Sequence, residues 1–494
     1  MESLPVELLI QIFSSFCFHC QNPGVFPNAD LENERNDKKV LARLCRTSKF
    51  ICSVAQPILY HCYATGNSRV RKEIDDRVGF PNKLDFLPQF VRTIVQRPDL
   101  AAQVTTMHIV RTDMLAGYET HMRTIEPLIE FSISRNLLRK PSLPDDWLDG
   151  HFSKWRLGQA ESLHRWLVTL AIVLSPRLES LYLTIDTNAR FFALEDSPHL
   201  KLLSLRTLAM VGHVLDYHFN ELEGLYAAAP NLETIYACEA SGWIARVVYD
   251  RDYKLPLPNV KRLAISDLIL DDLGNLLRCT PKLEDLEYYW DDLDEGKEYG
   301  FRVLAGVLEP VKATLKRLCI GFLPRSVHLD PFPKLVEPPV IHYPPIETLR
   351  EFPRLEYLSI DCFLLYQEED RDTANRLIDL LPPSIRFLRI SYVYRGIGRC
   401  LRQLAIDAPQ KFPLLEEVVL GISAKTNPSN DSEIESSIAV GSIFEDLGIK
   451  FSIKYDLLGA HSRTIIPGDI IGTLVTPVPR VLDEVGYEEW ARWN

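Results

Sequence analysis

The 494-residue chain has no apolar run long enough to span a bilayer. Its greasiest segment, Trp166 to Leu174, ends against Pro176, whereas a spanning helix needs about 20 residues. It also lacks a basic run. With a net charge of −12, a nucleic-acid binder that works by neutralising phosphates is excluded. Glu2 and Glu7 precede any apolar stretch, so no secretory signal is expected. The ten cysteines are scattered, which suits thiols in a reducing compartment better than a disulfide scaffold. The expected location is cytoplasmic and/or nuclear, with no membrane and no nucleic-acid partner.

Catalytic spacing is missing too. There is no G-x-x-x-x-G-K-[ST], no G-x-S-x-G and no H-E-x-x-H. Asp291-Asp292-Leu293-Asp294-Glu295-Gly296 fails as a calcium loop because, counted from Asp292, Gly296 falls on the fifth ligand place. Gly396-Ile397-Gly398 lacks the third glycine of a dinucleotide loop. Cys17-Phe18-His19-Cys20 is a lone C-x-x-C, and Cys45, Cys52, His61 and Cys62 show no second pair at zinc-ligand spacing. Neither a catalytic residue, a metal nor a cofactor is expected.

What is present begins at the front. In Leu4-Pro5-Val6-Glu7-Leu8-Leu9-Ile10-Gln11-Ile12-Phe13, residues Val6, Leu9, Ile10, Phe13 and Cys17 lie at helical spacing, and Leu4, Leu8 and Ile12 form a second stripe. Pro5 suits a first helical turn and Ser3 is available as its cap. A helix apolar on two sides needs two surfaces to pack against. Pro23, Gly24, Pro27 and Glu32-Asn33-Glu34-Arg35-Asn36-Asp37 read as a solvated loop. Val40-Leu41-Ala42-Arg43-Leu44-Cys45-Arg46-Thr47-Ser48-Lys49 and Ala55-Gln56-Pro57-Ile58-Leu59-Tyr60 follow.

Over residues 3–18 and 38–63 this wording resembles an F-box of the kind found in filamentous fungi. Two features depart from the family: the long 17–37 link, and Ser48 where many members carry Trp. The resemblance implies a three-helix module that binds a Skp-type adaptor and, through it, the cullin and RING subunits of a ubiquitin ligase. The adaptor contact would fall to Leu4, Pro5, Leu8, Leu9 and Ile12, with Leu44 and Pro57 supporting; Leu9 serves equally well as module core.

The rest of the chain repeats itself. Leu178-Glu-Ser-Leu181-Tyr-Leu183 recurs with starts at Leu205, Leu232, Val260, Leu283, Leu315, Leu355, Ile385 and Leu415. The steps are 27, 27, 28, 23, 32, 40, 30 and 30 residues. Helical patterns precede the strands, as at Leu163, Trp166, Leu167, Leu170, Ala171 and Leu174, and Pro176, Pro230, Pro281 and Pro382 punctuate helix from strand. This is the mark of a leucine-rich-repeat solenoid whose units bury their apolar faces only against neighbours.

The expected fold is therefore α/β, with a three-helix F-box module (1–63), a linker with the first helices (64–103), an irregular leucine-rich-repeat solenoid with a curved parallel sheet (104–453), and a C-terminal cap or tail (454–494). Interruptions at 136–159, 324–345 and 423–437 are either binding loops or tolerated insertions. Within each strand the Leu residues face inward and the alternate residues outward. That places Tyr182, Thr184, Tyr236, Arg262, Asp285, Glu287, Tyr289, Arg317, Tyr357, Asp361 and Arg389 on the concave face as the substrate-contact candidates. The expected function is substrate receptor of a cullin–RING ligase, holding a protein target for ubiquitin transfer by partner enzymes. Two alternatives stay open: a binding scaffold that does not direct ubiquitylation, and a repeat protein whose N-terminal helices merely cap the stack.

Overall fold

The Leu-x-x-Leu-x-Leu segments become neighbouring strands. The structure is a computed structural model. It describes residues 4–21, 32–64, 87–109, 118–139, 141, 157–185, 192–212, 217–238, 240–241, 254–266, 268–290, 304–322, 346, 348–365, 374–391, 393, 397–423 and 440–456. Its strands are β1 (Cys62–Ala64), β2 (Thr106–Ile109), β3 (Ser180–Ile185), β4 (Thr207–Gly212), β5 (Tyr217–His218), β6 (Thr234–Cys238), β7 (Ala240–Ser241), β8 (Arg262–Ser266), β9 (Asp285–Trp290), β10 (Arg317–Phe322), β11 (Tyr357–Asp361), β12 (Phe387–Ser391), β13 (Glu417–Ser423) and β14 (Lys450–Asp456). Twelve of them form one open parallel sheet in chain order, β1-β2-β3-β4-β6-β8-β9-β10-β11-β12-β13-β14, while β5 and β7 pair apart. An α/β sheet that adds each new strand beside the last is a solenoid-like stack.

The register explains why the Leu pattern works. Leu181, Leu208, Ile235, Leu263, Leu286, Leu318, Leu358, Leu388 and Val418 are successive cross-strand partners. Each is at most 1% exposed, so one continuous row of branched side chains runs from β3 to β13. Helices Leu157–Val173, Leu270–Arg278, Arg376–Leu380 and Ile397–Lys411 return the chain between strands, as a parallel connection requires. Their apolar faces join the same core, which extends from Leu87 to Ile449. At the far end, helix 440–446 closes on Gly448 in the left-handed region (φ 74°). The Ile449 N–H donates to the Phe444 carbonyl and the Gly448 N–H to that of Glu445, a glycine-terminated stop that turns the chain into β14.

The front folds as a separate cluster of helices α1 (Val6–Ser14), α2 (Phe18–Gln21), α3 (Glu32–Leu44) and α4 (Lys49–Leu59). Leu9, Phe13, Cys17, Leu41, Ile51, Val54, Ala55 and Ile58 form its own core. Three sequence expectations change here. The Glu32–Asp37 run is the start of α3 rather than a loop, because its Glu and Arg residues are good helix formers and polarity alone does not separate loop from helix. Pro5 stands at the cap position of α1 instead of within its first turn, and its carbonyl accepts from the N–H groups of Leu8 and Leu9. Cys62 to Ala64 belong to the sheet as its first strand, so the module runs into the stack without a break.

The 142–156 part of the first interruption, the 324–345 and 424–437 excursions, Ser3, the Pro23–Pro27 stretch, the acidic run at Asp291 and the tail beyond Asp456 lie outside the described residues. Among the described residues, no helix is long and apolar enough to cross a membrane.

Candidate functional site

The first site is the outside of the helical module. On α1 the row Leu9–Phe13 is buried, and apolar residues flank it on both sides. Leu8 and Ile12, one turn apart, are 46% and 45% exposed, and Val6 and Ile10 are 41% and 47% exposed. Leu4 and Phe50 are exposed as well. The structure thus moves Val6 and Ile10 from the expected inner face to an exposed flank, because the core row is narrow and centred between Leu9 and Phe13. Leu9 is fully buried and belongs to the core, not to a contact surface. Leu44 and Pro57 are half-buried and Pro5 is exposed. Helix α4 holds this arrangement from below: Ser48 caps it by accepting from the Ile51 N–H at 3.2 Å, and it packs on both α1 and α3.

The second site is the outward face of the sheet. Asp285 sits in register between Arg262 and Arg317 of the neighbouring strands. Its carboxylate lies 3.4 Å from Arg262 Nε and 3.5 Å from Arg317 Nε. Glu287, two residues on, accepts from Arg262 Nη2 at 2.9 Å and lies 3.5 Å from Arg317 Nη2. The two guanidiniums cover aromatic rings at either end, Arg262 over Tyr236 (5.5 Å) and Arg317 over Tyr357 (4.5 Å). The Tyr289 hydroxyl donates to Glu287 at 3.5 Å. Burial pushes the Asp285 carboxyl up to about 6, although Arg317 and Arg262 pull it down. Seven of the predicted contact residues therefore form one array of alternating sign.

Of the remaining four, Asp361 and Arg389 adjoin the array, their charges acting on Tyr289 and Tyr357, and the face is not the open surface expected. Tyr182 packs edge-on to His108 (4.1 Å), and Thr184 shares its strand. Asp361 and Arg389 come from β11 and β12. Tyr182, Tyr236, Glu287, Tyr289 and Asp361 are buried, and the other six of the eleven are half-buried. Sequence alternation assigns a side chain to a face correctly, but it carries no information on how densely that face packs. Large rings and guanidiniums stacked across neighbouring strands shield one another.

Two groupings escaped the sequence reading. Cys17, His19, Cys20 and His61 converge, with one ligand-capable atom of each within 4.8 Å of the others. The Cys17 thiol, His19 and His61 beside it bring the Cys20 thiol down to about 2, while Cys17 itself is raised by its hydrogen bond to Cys20 and by burial. The spacing of these residues hides the fourth member, because His61 joins from across the module. The other grouping is a ladder along one edge of the sheet, where the residue after each repeat's first apolar position passes its N–H to the preceding carbonyl. It runs Glu179, Arg206, Glu233, Lys261, Glu284, Lys316, Glu356, Arg386, Glu416, Lys450. The charge alternates at every step, and ion pairs join Arg206 and Lys261 to Glu233, Lys316 to Glu284, and Arg386 to Glu416. This signal was present in the sequence, one place along from the leucines.

No family model matches the chain, and no curated protein matches it.

Proposed function

We propose that the chain is the substrate-recognition subunit of a cullin–RING ubiquitin ligase, with α1 to α4 as an F-box holding a Skp-type adaptor and a leucine-rich-repeat stack holding the target. The observation that carries this reading is the pair of exposed apolar flanks on α1, in a helix worded Leu-Pro-x-Glu-Leu-Leu. Helices that only capped the stack would turn Leu4, Leu8 and Ile12 against the first strands; these residues are 37%, 46% and 45% exposed instead. An apolar set of this kind, presented beside a separately packed core, suits an apolar partner groove.

The module also reaches the stack through covalent and packed continuity. The Thr105 and Thr106 N–H groups both donate to the His61 carbonyl at 3.0 Å, and Tyr63 stacks on Phe90 at 3.8 Å. A target held by the sheet would keep a fixed bearing to the adaptor, which is how a receptor raises the effective concentration of a lysine near the transfer enzyme. Target contact would fall to the half-buried members of the array, Arg262, Asp285, Arg317 and Tyr357, with Arg389 on the neighbouring strand. Chemistry would belong to the partner enzymes.

The test is capture of a Skp-type adaptor by the full chain and by a Leu8→Asp variant of unchanged fold. Capture by the first and not the second supports the reading. Binding by neither removes the ligase assignment. Adaptor binding without ubiquitylation of any co-purified protein, in a reconstituted ligase, would favour the scaffold alternative.

A further inference from the structure

The Cys17–His61 cluster is unused by the proposed function, and its geometry is that of a ligand set. Tetrahedral zinc holds sulfur at about 2.3 Å and nitrogen at about 2.0–2.1 Å, which separates ligand atoms by roughly 3.3–3.8 Å. The distances from Cys20 Sγ are 3.2 Å to His61 Nδ1 and 4.0 Å to His19 Nδ1, bracketing that range. The His19 and His61 rings stand edge to face with centroids 5.8 Å apart, so both can present a nitrogen to one point without clashing. Cys17 is buried and the other three are half-buried. Four protein atoms of the S2N2 kind fill a tetrahedron and leave no open position, which is the pattern of a structural rather than a catalytic ion.

The alternatives explain less. A core histidine needs one partner, yet here two histidines and two cysteines crowd one spot. A plain apolar core would not gather them at the edge of the Leu9–Phe13 cluster. The position has a mechanical meaning as well. Cys17, His19 and Cys20 belong to the turn and short helix after α1, whereas His61 immediately precedes β1 and its carbonyl accepts from Thr105 and Thr106.

We propose that Cys17, His19, Cys20 and His61 bind one zinc ion that fastens α2 to the first strand of the sheet. Bound metal would then lock the helical module to the stack at the point where the two meet. In the absence of metal, α2 would reach His61 through the Cys20 thiol–imidazole contact and the edge-to-face His19 ring.

The experiment uses the full chain and needs no adaptor, so its outcome is independent of the ligase reading. Protein made with zinc supplied is expected to retain about one zinc per chain by elemental analysis. After chelation under reducing conditions, added cobalt is expected to give the intense visible bands of a tetrahedral thiolate site. Cys20→Ser and His61→Gln are expected to weaken zinc by more than the ~10–100-fold that loss of an outer-shell partner costs. His61→Cys should keep the metal with stronger thiolate-to-cobalt absorption, and Cys52→Ser, outside the cluster, should behave as the wild type. His61→Cys guards against mistaking a misfolded variant for a lost ligand. Absence of tetrahedral cobalt bands in the stripped wild type would overturn the proposal. Undiminished zinc in Cys20→Ser, or a Cys17–Cys20 disulfide in metal-free protein purified under reducing conditions, would do the same.

Discussion

Leu8 and Leu9 are adjacent in sequence and opposite in role, so a matched pair of substitutions separates binding from folding. Leu9 is fully buried, and truncating a buried Leu to Ala costs about 2–5 kcal/mol of stability. Leu8 is 46% exposed. Complete burial of a Leu side chain is worth about 1.5–3 kcal/mol, so covering the exposed half contributes about 1 kcal/mol, and Leu8→Ala should weaken adaptor binding about five-fold. Leu8→Asp goes further, because a carboxylate pressed into an apolar contact loses its hydration at a cost of several kcal/mol. The expected loss is at least about 100-fold. Folding should be spared: position 8 lies in the first turn of α1, where an acid interacts favourably with the helix dipole. The assay pairs calorimetric titration of the adaptor with thermal melts of each variant. Leu9→Ala should lower the melting temperature, and Leu8→Asp should leave it in place while abolishing heat of binding. A Leu8→Asp chain that melts as the wild type and still binds the adaptor at full strength refutes the assignment of this flank as the contact.

Three further outcomes follow from the sheet. His108 is buried, and burial, aided by the Lys38 charge, lowers its pKa from 6.5 to about 3. The unfolded chain therefore binds the extra proton first, so this residue's contribution to stability is complete above about pH 6.5 and is lost as pH falls toward 3, at up to about 1.4 kcal/mol per pH unit. Denaturant midpoints between pH 7 and 4 should show a flatter decline in His108→Gln than in the wild type, and parallel declines would count against it. Glu287→Ala removes the one fully buried carboxylate that Arg262 and Arg317 both face, with an expected cost of about 3–5 kcal/mol by chemical denaturation; a change under 1 kcal/mol would mean that the array is weakly coupled. Glu233→Lys sets three cations in a row at Arg206, 233 and Lys261, and should destabilise by about 1 kcal/mol at low salt, an effect that added salt erases.

The strands were legible because the requirement for them is local. A row that must be buried on one side writes its leucines at every second place, and Leu181, Leu208 and Leu263 follow the rule whatever their neighbours do. The crossover helices were legible by the same logic at a longer period, with Leu157–Val173 enclosing the expected apolar positions from Leu163 to Ala171 and Leu174 falling in the turn just after it. Polarity misled at Glu32, where an exposed helix and a loop use the same residues. The flanks of α1 were partly illegible because helical spacing gives the angle of Val6 and Ile10 but not the width of the buried stripe. Neither the burial of Glu287 and Tyr289 nor the arrival of His61 beside Cys20 could be read from spacing. Both depend on contacts between residues far apart in the chain, 41 positions apart in the second case.

The charge ladder bears on how a stack of similar units finds its order. The inward row is nearly uniform from β3 to β13, Leu or Ile or Val in each strand, so apolar burial rewards any of these units docking on any other. Discrimination must come from residues that differ between strands. Exposed ion pairs such as Arg206–Glu233 are each worth little, about 0–1 kcal/mol. Their arrangement matters more than their sum. With signs alternating from Glu179 to Lys450, omitting one unit brings like charges face to face, and like charges across adjacent strands are destabilising. Alternation distinguishes odd from even neighbours but not one odd strand from another. The array of Arg262, Asp285, Glu287 and Arg317 occurs once among the described strands and supplies that second distinction: only β8, β9 and β10, in that order, place both carboxylates between two guanidiniums. The leucines thus make stacking favourable, the ladder disfavours a skipped unit, and the array favours β8, β9 and β10 as neighbours at the centre.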